Sequence, residues 1–598
     1  MNFFKTLLAS MLGTFLALGL LILIFVVMIV AAVSGSEDKV VKVKDNSVLH
    51  IILDEAVAER GSDNDFNFNP ASFSSESKMG LNHFISDLEK AKSDDRIKGI
   101  FLEPLSLSAA PSTVLDIRRA LEDFKSSGKW IVSYAEDFSQ GGYYVASVAN
   151  EVYMYPEGSL DWRGINAEVM FFKKMLDKLE IEAQVIRGPN NKFKSAVEPF
   201  IYDHMSDANK VQVETFIGDI WRVMLDGISQ TRGITVPELN AYADSLAFVL
   251  PEKVAEARMV DGLKYRDEVM SLLKSKLGME ASAKDEDIEL ISLANYHDNA
   301  GKGKDKDEKP SVKKDRIAVV YAVGGIESGE GDDETIGSER IAEALKKARE
   351  DEKVKAIVLR VNSPGGSALA SDVIWRETML IRESGKPFYV SMGDYAASGG
   401  YYISCSAEKI YANANTITGS IGVFGIVPNL QKFWDNKVGI TFDRFETNPH
   451  ADLISANKPL DAFEMFAMQK MVTDIYDDFT SKVAAGRNMT QANVDSIGQG
   501  RVWSGEDAKN LGLVDEIGNL QDCIKAIAEK AGLTDYSVKE MPTLIDPFQK
   551  MIEEITGKKD ELMMKEILGD QYVIYQNVRD INKWKGVQAR MPFLMDIR

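Results

Sequence analysis

The chain has 598 residues, 45% of them hydrophobic and 27% charged, with a formal net charge of −21. Such a length spans more than one domain, and the composition suits packed cores rather than a disordered or fibrous chain. The acidic balance argues against nucleic acid, whose phosphates need a basic face, and leaves only a hydrophobic route to a membrane.

After a short amino terminus, residues 1–6, the stretch 7–33 (LLASMLGTFLALGLLILIFVVMIVAAV) runs without a charge. A bilayer core needs about 20 apolar residues in a helix, whereas the apolar part of a signal peptide has roughly 7–15. The run therefore reads as an uncleaved anchor, although AAVSGSE at its end also offers the small residues of a cleavage site. Lys5 gives a slight positive-inside bias, which puts the bulk of the chain outside the cytoplasm.

Beyond the anchor, short β-branched or aromatic runs bounded by turns (SVLHIIL, IKGIFLE, WIVSYAE, EVYMYP) alternate with helix-like segments such as PSTVLDIRRALEDFKSSG. Such alternation predicts βαβ units around a largely parallel sheet. The order then returns. DDRIKGIFLEPL from Asp94 answers DEKVKAIVLRVN from Asp351 at an offset of 257, and SQGGYY answers ASGGYY at 258 (Gly141, Gly399). TRGIT answers GRNMT at 255 (Thr235, Thr490), and RMVDGL answers GLVDEI at 254 (Val260, Val514). A nearly constant offset of domain size marks a tandem duplication, not a solenoid. We expect a first domain over 40–297, a charged linker over 298–315, a second domain over 316–541 and a helical tail over 542–598. The tail segment FQKMIEEITGKKDELMMKEIL reads as an amphipathic helix. Cys405 and Cys523 make no disulfide scaffold, and each can be a small buried hydrophobe.

The chemistry concentrates in the second copy. Strand KAIVLRVN ends at SPGGS, where glycines let backbone N–H groups approach a ligand and could hold an oxyanion; a tight turn would use the same residues. Strand PFYVSMGD leads to AASGG, placing Ser398 and Gly399 at the same carboxyl edge of a parallel sheet. The first copy has LEPLSLSAA and Gln140 in these places. A nucleophilic serine needs a base. His50, His83, His204, His297 and His450 sit in no recognisable triad sequence, and G-x-S-x-G is absent. A lysine can serve if burial keeps it neutral. Among many, Lys194 in NKFKSAVEPF stands out for its small and apolar neighbours, though an exposed loop lysine would look alike.

NSPGGS, GDYAASGGYYIS, TGSIGVFG, FKSAVEPF and GRVWSGEDAKNLGLVDEIG together resemble the signal peptide peptidase family, long form, also called protease IV. The resemblance runs from the anchor to about Gly532. It implies two ClpP/crotonase-like ββα superhelix domains and a Ser–Lys dyad, with Ser398 as nucleophile, Lys194 as general base and acid, and Ser420 holding the lysine amine. Gly365 or Gly366, with Gly399, would supply the oxyanion donors. No cofactor or metal is implied. It further implies hydrophobic peptide substrates, namely signal peptides left in the membrane, contact with the lipid bilayer through the anchor, and a homotetramer on the periplasmic side of a bacterial inner membrane. Asp452 stands where the second copy would carry a lysine, so the site is expected to be built across the duplication. His204 is taken as structural. An acyl-CoA enzyme of the crotonase type shares the fold and the glycine amides but uses carboxylates as acid and base. An idle membrane scaffold is the remaining alternative.

Overall fold

The computed structural model describes residues 42–61, 68–69, 74–75, 79–300, 315–545, 587–590 and 596–597, with Gly13, Thr14 and Leu20 besides. The expected anchor over 7–33 otherwise lies outside the described residues, as does nearly all of the expected linker. Among the described residues no helix is long and apolar enough to cross a membrane.

In the first half, β1 (Ser47–Ile52), β2 (Ile97–Glu103), α1 (Pro111–Lys125), β3 (Trp130–Ala135), α2 (Gln140–Ala146) and β4 (Glu151–Met154) follow one another. They are followed by β5 (Glu182–Arg187), the long helix α3 (Asp207–Arg232), β6 (Gly262–Leu263) and β7 (Leu290–Ser292). One sheet has the order β6-β4-β3-β2-β1-β7, with every pair parallel. Its strands are nearly continuous apolar runs because helices cover both faces. In β2, for instance, only Lys98 is exposed.

The second half repeats this plan. It contains β8 (Asp315–Val323), β9 (Gly325–Glu327), β10 (Thr335–Gly337), β11 (Val354–Ser363), β12 (Gly365–Ser367), α4 (Ala368–Glu383), β13 (Phe388–Ala397) and α5 (Gly399–Ser404). It continues through β14 (Lys409–Ala412), β15 (Ile417–Gly419), β16 (Phe424–Asn429), α6 (Ala462–Arg487), β17 (Val502–Ser504), β18 (Glu516–Ile517) and β19 (Tyr536–Met541). The main path of its sheet is β17-β15-β13-β11-β8-β19, with β14 pairing β13 and β18. The duplicated helices α3 and α6 both have 26 residues.

A third sheet joins the halves in the order β5-β16-β20-β12-β9-β10, where β20 is Val587–Arg590 from the tail. β5 pairs antiparallel with β16 from Glu182 opposite Asn429 to Arg187 opposite Phe424. A first-half strand thus ends beside the second half's glycine loops. The expectation of a helical tail needs correction in its described part, because residues 587–590 and 596–597 are both strand. Two facing strand edges offer β20 main-chain partners on both sides, and these outweigh any local helical preference over four residues. The segment read as an amphipathic helix, 548–568, lies outside the described residues.

The halves also meet through a buried polar seam. Arg360 on β11 donates to Glu59 (2.5 Å), with Asp116 of α1 3.6 Å away, and its side chain is 1% exposed. Asp394 on β13 accepts from the backbone N–H and the hydroxyl of Thr113, both at 2.8 Å, so it caps the first turn of α1 from across the seam. Asn413 donates to Ser112 (2.9 Å) and Asp116 (2.8 Å). Burial pushes Asp116 up to about 6, against the pull of Arg360, and raises Asp394. Such pairs add little net stability but penalise wrong docking, because either partner alone would be a buried charge.

Candidate active site

β13 ends in a strand-to-helix junction at Ser398, which takes φ 56° and ψ −111°, a region few side chains adopt. Strain of this kind costs about 1–3 kcal/mol and persists only where neighbours over-determine it. Here Ser398 N–H donates to the Gly419 carbonyl and Tyr402 N–H donates to the Ser398 carbonyl, each at 2.8 Å. Tyr401 and Tyr402, fully buried behind the junction, anchor α5 to the core. The side chain of Ser398 is thereby aimed away from its own helix, toward the first half.

There it meets Lys194. The loop after β5 carries Lys194 into the second half, and its Nζ lies 2.9 Å from Ser398 Oγ, 3.0 Å from Ser420 Oγ and 3.1 Å from the Ser420 carbonyl oxygen. Lys194 is 2% exposed, and Ser398 and Ser420 are 0% exposed. Burial alone drives the lysine well below its ordinary range, with no carboxylate among the described residues opposing it. Two glycines clear its path: a Cβ on Gly500 would stand 2.4 Å from Lys194 Cβ, and one on Gly422 would stand 3.4 Å from its Cδ. Ser420 also has positive φ, 49°, and its N–H donates to the Arg501 carbonyl at 2.6 Å.

A residue that sequence reasoning missed holds this loop. Gln212 on α3, fully buried, donates to the Phe193 carbonyl (3.1 Å), Ser195 Oγ (2.8 Å) and Asn209 Oδ1 (2.9 Å), and accepts from Val502 N–H (3.3 Å). It therefore clamps the residues on both sides of Lys194 to β17. Asn209 and Gln212 continue the buried stripe of Phe216 and Ile220 on α3. Polar residues at positions where the helical period calls for apolar ones were the available signal.

The glycines divide their work. Gly365 has φ 96°, and its N–H already donates to Ser363 Oγ at 3.1 Å. A Cβ on Gly365 would stand 2.8 Å from Gly399 N, so these two glycines touch. Gly366 faces the backbone of Ile326, 2.0 Å from where its Cβ would be, and stands opposite Ala589 in the ladder.

In the first copy Gln140 stands at the position equivalent to Ser398. Gln140 Oε1 accepts from Arg163 and Gly164 N–H (2.9 and 2.8 Å), and Nε2 donates to the Gly164 carbonyl (2.9 Å). An amide clamp closes the equivalent junction. Asp452, aligned with Lys194 by the duplication, pairs instead with Lys458 and with Arg444 (3.5 Å). The histidines are engaged elsewhere: His50 with Glu103, His297 with Asp87, His204 with Asp203, His450 with Glu464, and His83 stacked on His297. His204 is mostly exposed. Cys405 and Cys523 are buried free thiols.

A family model, Peptidase family S49, matches the chain twice, over residues 123–280 and 381–534. Protease 4 of Salmonella typhi is 36% identical over 81% of this chain and 77% of that protein. Protease 4 of Haemophilus influenzae is 37% identical over 73% and 71%. The chloroplastic serine protease SPPA of Arabidopsis thaliana is 31% identical over 87% and 75%. A ClpP1 mutant from Listeria monocytogenes is similar over 34% of this chain and 92% of that one, at 19% identity and a TM-score of 0.23, a likeness too slight to carry an argument. Two matched regions on a repeated α/β plan, with relatives aligned over most of both lengths, place this chain in peptidase family S49 as a serine peptidase.

Proposed function

We propose that the chain is a membrane-tethered endopeptidase in which Ser398 is the nucleophile and Lys194, from the other half, is its base. The observation that carries this reading is the 2.9 Å contact between a buried lysine amine and Ser398 Oγ, with no carboxylate among the described residues beside the amine. Neutral Lys194 takes the hydroxyl proton as Ser398 Oγ attacks a peptide carbonyl, then hands it to the departing amine. Water, deprotonated by the same lysine, releases the acyl group. Ser420 fixes the amine through its hydroxyl and its carbonyl. Because Gly365 N–H is engaged by Ser363, the oxyanion donors of this reading are Gly366 and Gly399, while Gly365 supplies a bare α-carbon. Two such donors contribute about 2.7–4 kcal/mol each to the transition state.

Substrate binding as an extended strand is supported by the third sheet. β12 and β16 flank a slot one strand wide, since β20 pairs with both. Main-chain pairing of that kind accepts many sequences. The uncharged run over 7–33 supports a tether that keeps the site near lipid-held apolar peptides, spent signal peptides foremost, on the periplasmic face of a bacterial inner membrane. The homotetramer belongs to the same proposal.

The test uses detergent-solubilised full chain and a synthetic signal peptide, with cleavage followed by mass spectrometry. Wild type should cut within the apolar stretch, and Ser398→Ala and Lys194→Ala should fall to background. If Lys194→Ala keeps most of the activity, the composite site is wrong.

A further inference from the structure

Between the polar seam and the serine, β13 leaves its regular ladder. It pairs parallel with β11 from Ile357 opposite Phe388 to Val361 opposite Met392, and then Ser363 stands opposite Ala396. Two steps on β11 thus match four on β13, so β13 carries two extra residues here. On its other edge β13 also changes partner: Tyr389–Ser391 pair with β14, and Tyr395–Ala397 pair with β15. Bulges of this kind bend a strand and re-aim its side chains, and they recur beside active sites. The residues delivered past this one are Ser398, at the end of β13, and Ser420, just after β15.

One side chain fills the bulge. Asn362, the β11 residue that the ladder skips, accepts from Tyr395 N–H through Oδ1 (3.1 Å). Its Nδ2 donates to Asp394 Oδ2 (3.1 Å) and to Glu59 Oε2 of the first half (2.9 Å). Gly393 lies against it: a Cβ there would stand 3.0 Å from Asn362 Cγ. The two carboxylates are fixed in turn, Asp394 by Thr113 and Glu59 by Arg360. A neutral amide suits the place, because it can accept from an N–H and donate to two carboxylates at once. The first copy offers the contrast. At the offset of 257 an exposed Leu105 stands for Asn362, and the ladder of β2 with β3 ends at Leu102 opposite Ser133. Among the described residues, the half without the serine therefore lacks both the amide and the resumed ladder.

We infer that Asn362 is a positioning residue for the nucleophile: it holds the bulge that sets Ser398 against Lys194 and the oxyanion glycines. The inference rests on the Ser398–Lys194 reading above. Asn362 directly precedes Ser363, whose Oγ accepts from Gly365 N–H, so its placement governs the serine strand and the glycine loop together. Because Nδ2 also reaches Glu59, the half that brings Lys194 helps to fix the bulge. Without the amide, Tyr395 N–H and the two carboxylates would draw in water, and the strand end would gain freedom. A displacement of about 1 Å at a reacting atom can cost about 10²-fold in rate.

Asn362→Ala and Asn362→Asp test this beside wild type and Ser398→Ala, as full chains on the synthetic apolar peptide, well below the melting transition. Asn362→Ala should lower kcat by about 10²-fold and leave KM within about twofold, because the loss falls on the reacting serine. Its half-maximal pH should match the wild type's, since Lys194 keeps its enclosure. Acylation of Ser398 by a small serine-directed probe, which needs no strand pairing, should slow by a similar factor. Asn362→Asp keeps the shape and the acceptor for Tyr395 N–H, so it carries the test if Asn362→Ala fails to fold. It loses both donations and sets a third carboxylate there, and should lower kcat by about tenfold or more. Wild-type kcat in a folded variant, with only a lower melting temperature, overturns the positioning role and leaves the dyad standing. A raised KM at unchanged kcat does the same. A half-maximal pH moved upward would transfer the effect to Lys194 and overturn it as well. Ser398→Ala that still cuts the peptide overturns the dyad reading and this inference with it.

Discussion

Lys194→Met should make the fold more stable while silencing the site, and the gain should depend on pH in a set way. The amine is 2% exposed and no carboxylate opposes its desolvation, so its native pKa is depressed. Between that depressed value and about 10.4, the ordinary lysine value, the unfolded chain binds a proton that the native chain does not. Stability of the wild type therefore rises with pH across this window, at a limiting slope of about 1.4 kcal/mol per pH unit, and levels off outside it. The Lys194→Met variant has no such proton, so its advantage is largest below the native pKa and shrinks as pH climbs toward about 10. Against it stand the hydrogen bonds to Ser398 and Ser420, each worth about 0.5–1.5 kcal/mol net. Chemical denaturation of both proteins at unit steps from pH 6 to about pH 10 measures the difference curve. Two parallel curves would mean that the lysine is solvated like any surface lysine, and a neutral base at this position would then be untenable. Peptide cleavage by the wild type should rise with pH through the same native pKa, well below the ordinary range.

Two further substitutions test the geometry around that pair. Gly365→Ala puts a methyl 2.8 Å from Gly399 N at a residue with φ 96°, and should lower kcat by about 10²–10³ by displacing one oxyanion donor while the melting transition stays cooperative. Peptide cleavage and thermal unfolding measured on the same sample read the two effects apart. Gln212→Ala removes the clamp on Phe193 and Ser195 and strands buried partners, each costing about 1–3 kcal/mol. Its distinguishing effect is an acid limb of the kcat profile moved toward higher pH, as water reaches Lys194. An unchanged limb with only a lower melting temperature would make Gln212 merely structural.

Much of this molecule was legible in one sequence because duplication let it be compared with itself. β2 and β11, β3 and β13, and α3 and α6 follow the offsets near 257, and IKGIFLE coincides with β2 as found. Ser398 stood out by contrast with Gln140, since the two copies differ there in otherwise matching segments. Small and apolar neighbours made Lys194 suggestive and the resemblance of FKSAVEPF to the family singled it out; its neighbours could not show its burial, which comes from Gly422, Gly500 and Ser420, more than 220 positions away. The seam around Arg360 was hidden for a related reason. An arginine inside LRVN violates the apolar pattern of a buried strand, and Glu59 and Asp116 of the other half, with Ser391 Oγ and the Met392 carbonyl, make it tolerable. The tail strand was illegible because four residues carry no period, and its pairing is dictated by strand edges formed far upstream.

The division of the site between the two copies follows from what the lysine requires. A serine at a strained junction can be set by its own sheet and helix, and Ser398 is held by Gly419 and Tyr402 of the same half. A lysine that must stay neutral needs a dry enclosure, and a loop that buried its own lysine would face the full desolvation penalty while that half folded alone. Here the loop buries Lys194 against Gly422 and Gly500 of the other half, beside the pairing of β5 with β16 and the capping of α1 by Asp394. The apolar surface and main-chain pairing gained across the seam offset the penalty, so burial of the proposed base goes with assembly of the proposed site. The same logic accommodates Gln140 and Asp452 at the equivalent positions of the other copies. Once docking supplied the missing partner to one shared site, a second serine and a second lysine would have added a buried amine to be desolvated and no further chemistry.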